Sequence, residues 1–224
     1  MRLQRTGHAG GGPSGQGWLS GGSYADTWSG TENVQWKVPV PGAGNSSPIV
    51  WGDFIFLTTA YDKGQRRSIL AFQRSDGRLL WECFVPDATP ERAHIKNGYA
   101  SATPATDGRY VYAYFDNHGL VAVAMNGTLT WHTDLGVINT VHGTACSPLL
   151  YQDMVIIVQD ITGGEGSFIG AFDKATGSER WRTPREGERG WYSPITIRVG
   201  NRDEIIVSGS DQVQAYDPET GRDL

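Results

Sequence analysis

The segment that decides the fold is Ala171-Phe172-Asp173-Lys174-Ala175-Thr176-Gly177-Ser178-Glu179-Arg180-Trp181. It recurs. Ala71-Phe72-Gln73-Arg74-Ser75-Asp76-Gly77 leads to Trp81, and Ala215-Tyr216-Asp217-Pro218-Glu219-Thr220-Gly221 repeats its first part near the C-terminus. A copy one residue shorter, Ala122 to Gly127, leads to Trp131. Trp81, Trp131 and Trp181 are spaced 50 residues apart, each four residues after a glycine, and Trp36 stands 45 residues before the first. Self-similarity at such a period marks a repeat architecture. Within the segment, an aspartate can accept hydrogen bonds from the N–H groups just ahead of it. The glycine can take the left-handed conformation that closes a hairpin.

Upstream of each copy stand Ser47-Pro48-Ile49, Thr103-Pro104-Ala105, Ser147-Pro148-Leu149 and Ser193-Pro194-Ile195. Each leads into a turn and then a β-rich run: Phe54 to Thr58, Tyr110 to Tyr114, Val155 to Val158, Ile205 to Val207. Proline at a strand start loses no ladder hydrogen bond. Every unit therefore reads as four short antiparallel strands, and units of this size arranged radially form a β-propeller. The expectation is an all-β chain with almost no helix and about four blades, at residues 46–84, 101–134, 146–184 and 192–224. The last blade lacks its own outer strand. Val34 to Val40, around Trp36, reads as the outer strand of a blade whose other strands lie elsewhere. Trp36, Trp81, Trp131 and Trp181, with Gly77, Gly127, Gly177 and Gly221, are read as structural elements of the repeat. Residues 1–30 read as a flexible, glycine-rich lead-in, touching the body at Trp18 and Trp28. The Gly-x-Gly-x-x-Gly pattern at Gly10–Gly15 has neither the strand nor the helix that a dinucleotide site needs.

Composition agrees with packed strands and many turns: 30 glycines and 8 tryptophans in 224 residues, with 19% charged side chains. A formal net charge of −5 gives no basic footprint for nucleic acid or an anionic membrane. The longest apolar runs, such as Leu120 to Met125, are far too short for a transmembrane helix, and the sequence shows no secretory signal. Two cysteines, Cys83 and Cys146, make no disulfide framework. Both read as small buried hydrophobes, and spacing alone does not say whether they pair.

The Ala-Phe-Asp-x-x-Thr-Gly-x-x-x-Trp pattern resembles the repeat of the pyrroloquinoline-quinone (PQQ)-like propellers, the quinoprotein alcohol dehydrogenase-like superfamily. The resemblance covers about residues 28–224, and Trp28 to Lys37 with Ser46-Ser47-Pro48 is similar to the opening of secreted, non-catalytic bacterial members. It implies seven or eight blades in a full propeller, so that this chain corresponds to a fragment whose missing blades or other domains belong to a longer chain. It also implies a periplasmic or extracellular location and two classes of function. One is a binding or scaffold module with no cofactor, as in members that help insert outer-membrane barrels. The other is a dehydrogenase holding PQQ and calcium, with an aspartate base and often two adjacent cysteines. Cys83 and Cys146 are not adjacent, and no residue matches the catalytic aspartate.

No nucleophile, phosphate or zinc motif is present, and His8, His94, His118, His132 and His142 sit at no metal-ligand spacing. Asp160 to Glu165 lacks the alternating oxygen ligands of a calcium loop and reads as a hairpin. Glu32, Asp53, Asp107 and Asp153 read as solvated turn residues. What remains is a loop face. The connections entering the first strand of each blade carry Asn45, His94, Lys96, Asn97, Tyr99, His142, Trp191 and Tyr192. Tyr61, Arg66, Asp116, His118 and Asp160 are expected at hairpin tips beside them. Aromatics mixed with amides, histidines and charges on a rigid scaffold suit a protein or small-ligand partner.

Overall fold

Two kinds of strand are distinguished by their burial. The computed structural model describes residues 25–224, apart from residues 95, 139, 141, 144, 162, 165, 187–189, 210 and 211. Residues 1–24, with the glycine pattern and Trp18, and Glu165 lie outside the described residues. Four antiparallel sheets follow one another, each a simple meander. Blade 1 holds β1 (Ile49–Trp51), β2 (Phe54–Tyr61), β3 (Arg66–Gln73) and β4 (Leu79–Phe84). Blade 2 holds β5 (Ala105–Thr106), β6 (Tyr110–Tyr114), β7 (Leu120–Ala124) and β8 (Leu129–Thr133). Blade 3 holds β9 (Leu149–Tyr151), β10 (Met154–Gln159), β11 (Phe168–Asp173) and β12 (Glu179–Pro184). Blade 4 has three strands, β13 (Ile195–Val199), β14 (Arg202–Ser208) and β15 (Val213–Tyr216). The only helical pieces among the described residues are two single 3-10 turns, Asp62–Gly64 and Asp116–His118.

Every residue of β10 is buried, because a middle strand meets neighbouring blades on both faces, and Met154 to Val158 reads as a continuous apolar run. The outer strand β8 alternates between half-buried and exposed. Two core clusters result, one joining blades 1 and 2 and the other joining blades 2, 3 and 4.

The repeated segment does three jobs. Asp173 and Asp217 each accept hydrogen bonds from two backbone N–H groups and a threonine hydroxyl in the turn ahead. Gly77, Gly127, Gly177 and Gly221 all have positive φ, between 72° and 89°. The tryptophan sits opposite the alanine of the neighbouring strand, as Ala71↔Trp81, Ala122↔Trp131 and Ala171↔Trp181, and each pair is followed by the same register shift.

The rings then reach across to the next blade. Trp36 covers Gly77, Trp81 covers Gly127, Trp131 covers Gly177 and Trp181 covers Gly221; a Cβ on any of these glycines would lie under 3.0 Å from the ring. Each indole N–H donates to a carbonyl of the same turn: Arg74, Met125, Lys174 and Pro218, at 2.9–3.0 Å.

The Ser/Thr-Pro element carries a second, inner link. Ser47 N–H donates to Thr103 Oγ1, Thr103 N–H to Ser147 Oγ, and Ser147 N–H to Ser193 Oγ, at 2.9–3.0 Å. Each hydroxyl thus satisfies a backbone donor that the preceding blade cannot pair itself.

Val34 to Val40 departs from its expected form. The segment belongs to no sheet among the described residues, because no strand lies beside it to form a ladder. It is held by Trp36 and by Gln35, whose side-chain amide donates to Ser75 O. Trp28 is 73% exposed and is not packed on the body, contrary to expectation.

Gly77 and Gly52 separate the contact from the backbone conformation. Both have positive φ, but a Cβ at Gly52 meets nothing within 4 Å. Urea unfolding should show Gly52→Ala costing about 1 kcal/mol of left-handed strain, and Gly77→Ala roughly 1–3 kcal/mol more through displacement of Trp36. Trp131→Ala should cost about 3–5 kcal/mol.

Candidate binding face

The expected loop residues converge. Asn45 Nδ2 donates to Lys96 O at 3.2 Å and also to Asn97 O. Asn97 Nδ2 donates to His142 O at 2.8 Å, and Trp191 Nε1 donates to Gly143 O at 2.9 Å. The His94 and His142 rings are 5.7 Å apart, and Trp191 meets His142 edge-on at the same distance. The loops entering four successive blades are thus tied into one continuous band. Trp191 and Tyr192 remain 41% and 45% exposed on it, and His94 and Lys96 are exposed beside them. Tyr99 is half-buried: it fills the space above Gly64, where a Cβ would strike its ring, and Arg67 stacks 5.5 Å from its centroid. A cleft of about 480 Å³ opens beside it, lined by Gly42, Gly44, Gly98, Lys63 and Lys96 among others.

Three of the expected hairpin-tip residues turn inward instead. Asp116, His118 and Asp160 are buried, at 7%, 1% and 6% exposure. For the two aspartates the cause is two arginines that the repeat pattern does not reveal. Arg67 is fully buried and donates two 2.7 Å bonds to Glu91, with further bonds to Phe115 O and Gly64 O; Asp116 lies 3.8 Å away. Arg185 binds Asp160 at 2.8 Å and donates to Tyr216 Oη at 2.7 Å. Such a charge can be buried only when its donors are matched, so the acids are drawn in. Nothing in the spacing marked these arginines, since each is a single copy that interrupts the repeat. Tyr61 and Arg66 do lie at a tip, where Tyr61 donates to Glu82 and Arg66 stacks on Phe84 at 4.4 Å. Of the four acids expected in solvated turns, Glu32, Asp53 and Asp153 are exposed. Asp107 is half-buried, and its carboxylate accepts from Tyr110 N–H and from Tyr112 Oη.

His118 lies against the first of these networks. Its Nε2 donates to Gln65 O at 3.1 Å, while its buried Nδ1 has no partner. Burial, and then the Arg67 charge, hold its pKa below the ordinary 6.5, so the ring is neutral. Burial also raises the Cys83 thiol and pushes Cys146 up to about 12. Both are free thiols, in separate core clusters.

A calcium ion needs several converging oxygen donors. Among the described residues no three His, Cys, Asp or Glu side chains come together as a cation site.

Successive four-stranded blades, joined by tryptophan on glycine and by the hydroxyl series, define a PQQ-type β-propeller repeat protein. The family described as outer membrane protein assembly factor BamB matches residues 5–133 and 65–224, and the chain belongs to it. A search of curated proteins returned no match. Among solved structures, BamB from Moraxella catarrhalis is 16% identical with a TM-score of 0.59, covering 87% of this chain and 54% of that one. Quinohemoprotein alcohol dehydrogenase from Comamonas testosteroni is 15% identical with a TM-score of 0.59, covering 82% and 34%. A quinohemoprotein alcohol dehydrogenase from Pseudomonas putida HK5 is 18% identical with a TM-score of 0.55, covering 85% and 35%. At these identities the likeness is one of fold, and the chain spans about half the length of the first relative and a third of the others. No helix among the described residues is long and apolar enough to cross a membrane.

The depressed His118 pKa makes stability depend on pH. Above pH 6.5 the ring is neutral in both folded and unfolded chains and contributes no dependence. As pH falls below 6.5 the unfolded chain takes up the proton first, so stability drops until the folded pKa is passed. Urea midpoints measured from pH 7.5 to 5 should fall less steeply for His118→Gln than for the parent chain.

Proposed function

We propose that this chain is a non-catalytic binding and scaffold module that holds a protein partner on its blade-entry face. The carrying observation is the band Asn45–Asn97–His142–Trp191, in which loops of four blades brace one another and leave aromatic and cationic side chains in solvent. A braced loop face loses little freedom on binding, and exposed Trp and Tyr beside polar groups are the common anchors of protein interfaces. The family description supports a role in outer membrane protein assembly, hence a location outside the cytoplasm, on the periplasmic side. No cofactor enters this role.

A photo-crosslinking residue at Lys96 or Tyr192, in cells carrying the protein in the envelope, should yield discrete protein adducts. The same residue at Asp76, on the opposite hairpin, should not. Trp191→Ala should weaken partner binding about thirtyfold, roughly the 2 kcal/mol of a hot spot, while the lost bond to Gly143 O lowers the thermal midpoint only slightly. Equal adducts from all three positions, or dye reduction by an alcohol once PQQ and calcium are added, would overturn the proposal.

A further inference from the structure

The cleft beside Tyr99 lies among three loops of the blade-entry face: the segment entering blade 1, the β2–β3 hairpin tip and the loop entering blade 2. These loops are tied to one another. Asn45 N–H and Ser46 N–H both donate to Ala100 O, at 2.9 and 3.1 Å, and Ala43 bridges Ala60. Tyr99 covers Gly64 and stacks with Arg67. By strand alternation Arg67 shares its face with Ile69 and Ala71, which are buried with Val111 and Val121 of blade 2. The Tyr99 wall of the cleft therefore stands over a completed contact between two blades. Its volume of about 480 Å³ falls within that of ligand clefts, roughly 300–1,000 Å³.

Its floor is largely backbone and its cations are lysines. Gly42, Gly44 and Gly98 line it, and a Cβ at Gly98 would meet nothing nearer than Asn45 Nδ2 at 3.8 Å, so the space above that backbone is open. Where side chains are absent, another main chain can lie close. Lys63 stands on the hairpin tip and Lys96 on the entry loop. Both are exposed, and neither joins an ion pair among the described residues; the same holds for Arg92 on the entry loop. Asp62, the one carboxylate in the lining, lies 3.8 Å from Arg66. Lys63 also occupies a backbone that does not suit it: φ is 56° and ψ 41°, between Asp62 at φ 50° and Gly64 at φ 87°. Glycine would hold that conformation with less strain, so what lysine brings to the tip is a long side chain and its charge.

We infer that this cleft anchors an acidic, extended segment of the partner protein, with its carboxylates held by Lys63 and Lys96 and its main chain laid along the glycines. The inference rests on the scaffold reading above and names the chemistry of the partner. An ammonium group is a compact point charge that meets carboxylates one at a time, whereas the planar fork of arginine suits phosphate bidentately. No arginine is among the described residues that line the cleft. A segment anchored here continues along the band from Asn45 through Asn97 and His142 to the exposed rings of Trp191 and Tyr192. Charge then sets the register of the segment at one end of the face, and aromatic contact adds affinity at the other.

A dye-labelled peptide alternating glutamate and valine, titrated with the 224-residue chain and followed by fluorescence anisotropy, should bind saturably and more weakly as salt rises. The same peptide with glutamine in place of glutamate should not bind. Lys63→Glu and Lys96→Glu should each weaken binding about tenfold, while Arg78→Glu, on the opposite hairpin, should leave it unchanged. Lys63→Gly should also weaken it without lowering the thermal midpoint, because glycine suits the left-handed tip, and Lys63→Arg should retain it. Binding of the glutamine peptide, indifference to both lysine reversals, or an equal loss with Arg78→Glu would overturn the inference. So would displacement of the peptide by an equal concentration of inorganic phosphate, or binding to phosphatidylglycerol vesicles in place of the peptide. Discrete adducts from Tyr192 without any peptide binding would overturn it and leave the scaffold reading standing. Peptide binding that depends on both lysines, with no adducts in cells, would support the cleft and remove the scaffold reading alone.

Discussion

The whole structure rests on one contact, a tryptophan face laid over a glycine of the next blade. Because the glycine has no Cβ, the ring can approach its backbone, and the indole N–H reaches a carbonyl of the same turn. Dispersion, burial and a hydrogen bond therefore act at one place. Positive φ and the absence of a side chain are both required there, so glycine meets two constraints that other residues would meet one at a time. The alanine opposite each tryptophan completes the fit by leaving the ring room to lean outward.

Around the inner strands a different chemistry performs the same joining. Hydroxyls of the Ser/Thr-Pro elements accept backbone N–H groups from the blade before. Inner and outer links point the same way along the chain, so every blade leans on its successor at two radii. Between those radii the middle strands need only be apolar on both faces, as β10 is.

The repeat made the fold legible: the Gly-x-x-x-Trp spacing, the Asp-x-x-Thr-Gly turn and the prolines located all four sheets and the missing outer strand. It did so because each of these residues answers a backbone requirement that recurs in every blade. Proline drew attention at the inner strands, while the hydroxyl beside it carried the link. The loop face was legible in outline, since loops entering successive blades must lie side by side, and Asn45, Asn97, His142 and Trp191 do. The buried ion pairs were not. Arg67 with Glu91 and Arg185 with Asp160 are non-repeating, and a charged residue in a loop or at a strand end ordinarily signals solvent. Only the fold brings the acid to the guanidinium, and that is why Asp116 and Asp160 face inward.

The direction of these links has an evolutionary corollary. The natural unit of duplication is not a sheet but the stretch from one tryptophan to the next, because that stretch carries a complete donor and a complete acceptor for its neighbours. A gene that copies such a stretch in tandem adds a blade already compatible with both sides. Blade number can then change through recombination alone, with the rest of each entry loop free to diverge, since the tryptophan–glycine and hydroxyl links that recur in every blade do not use it.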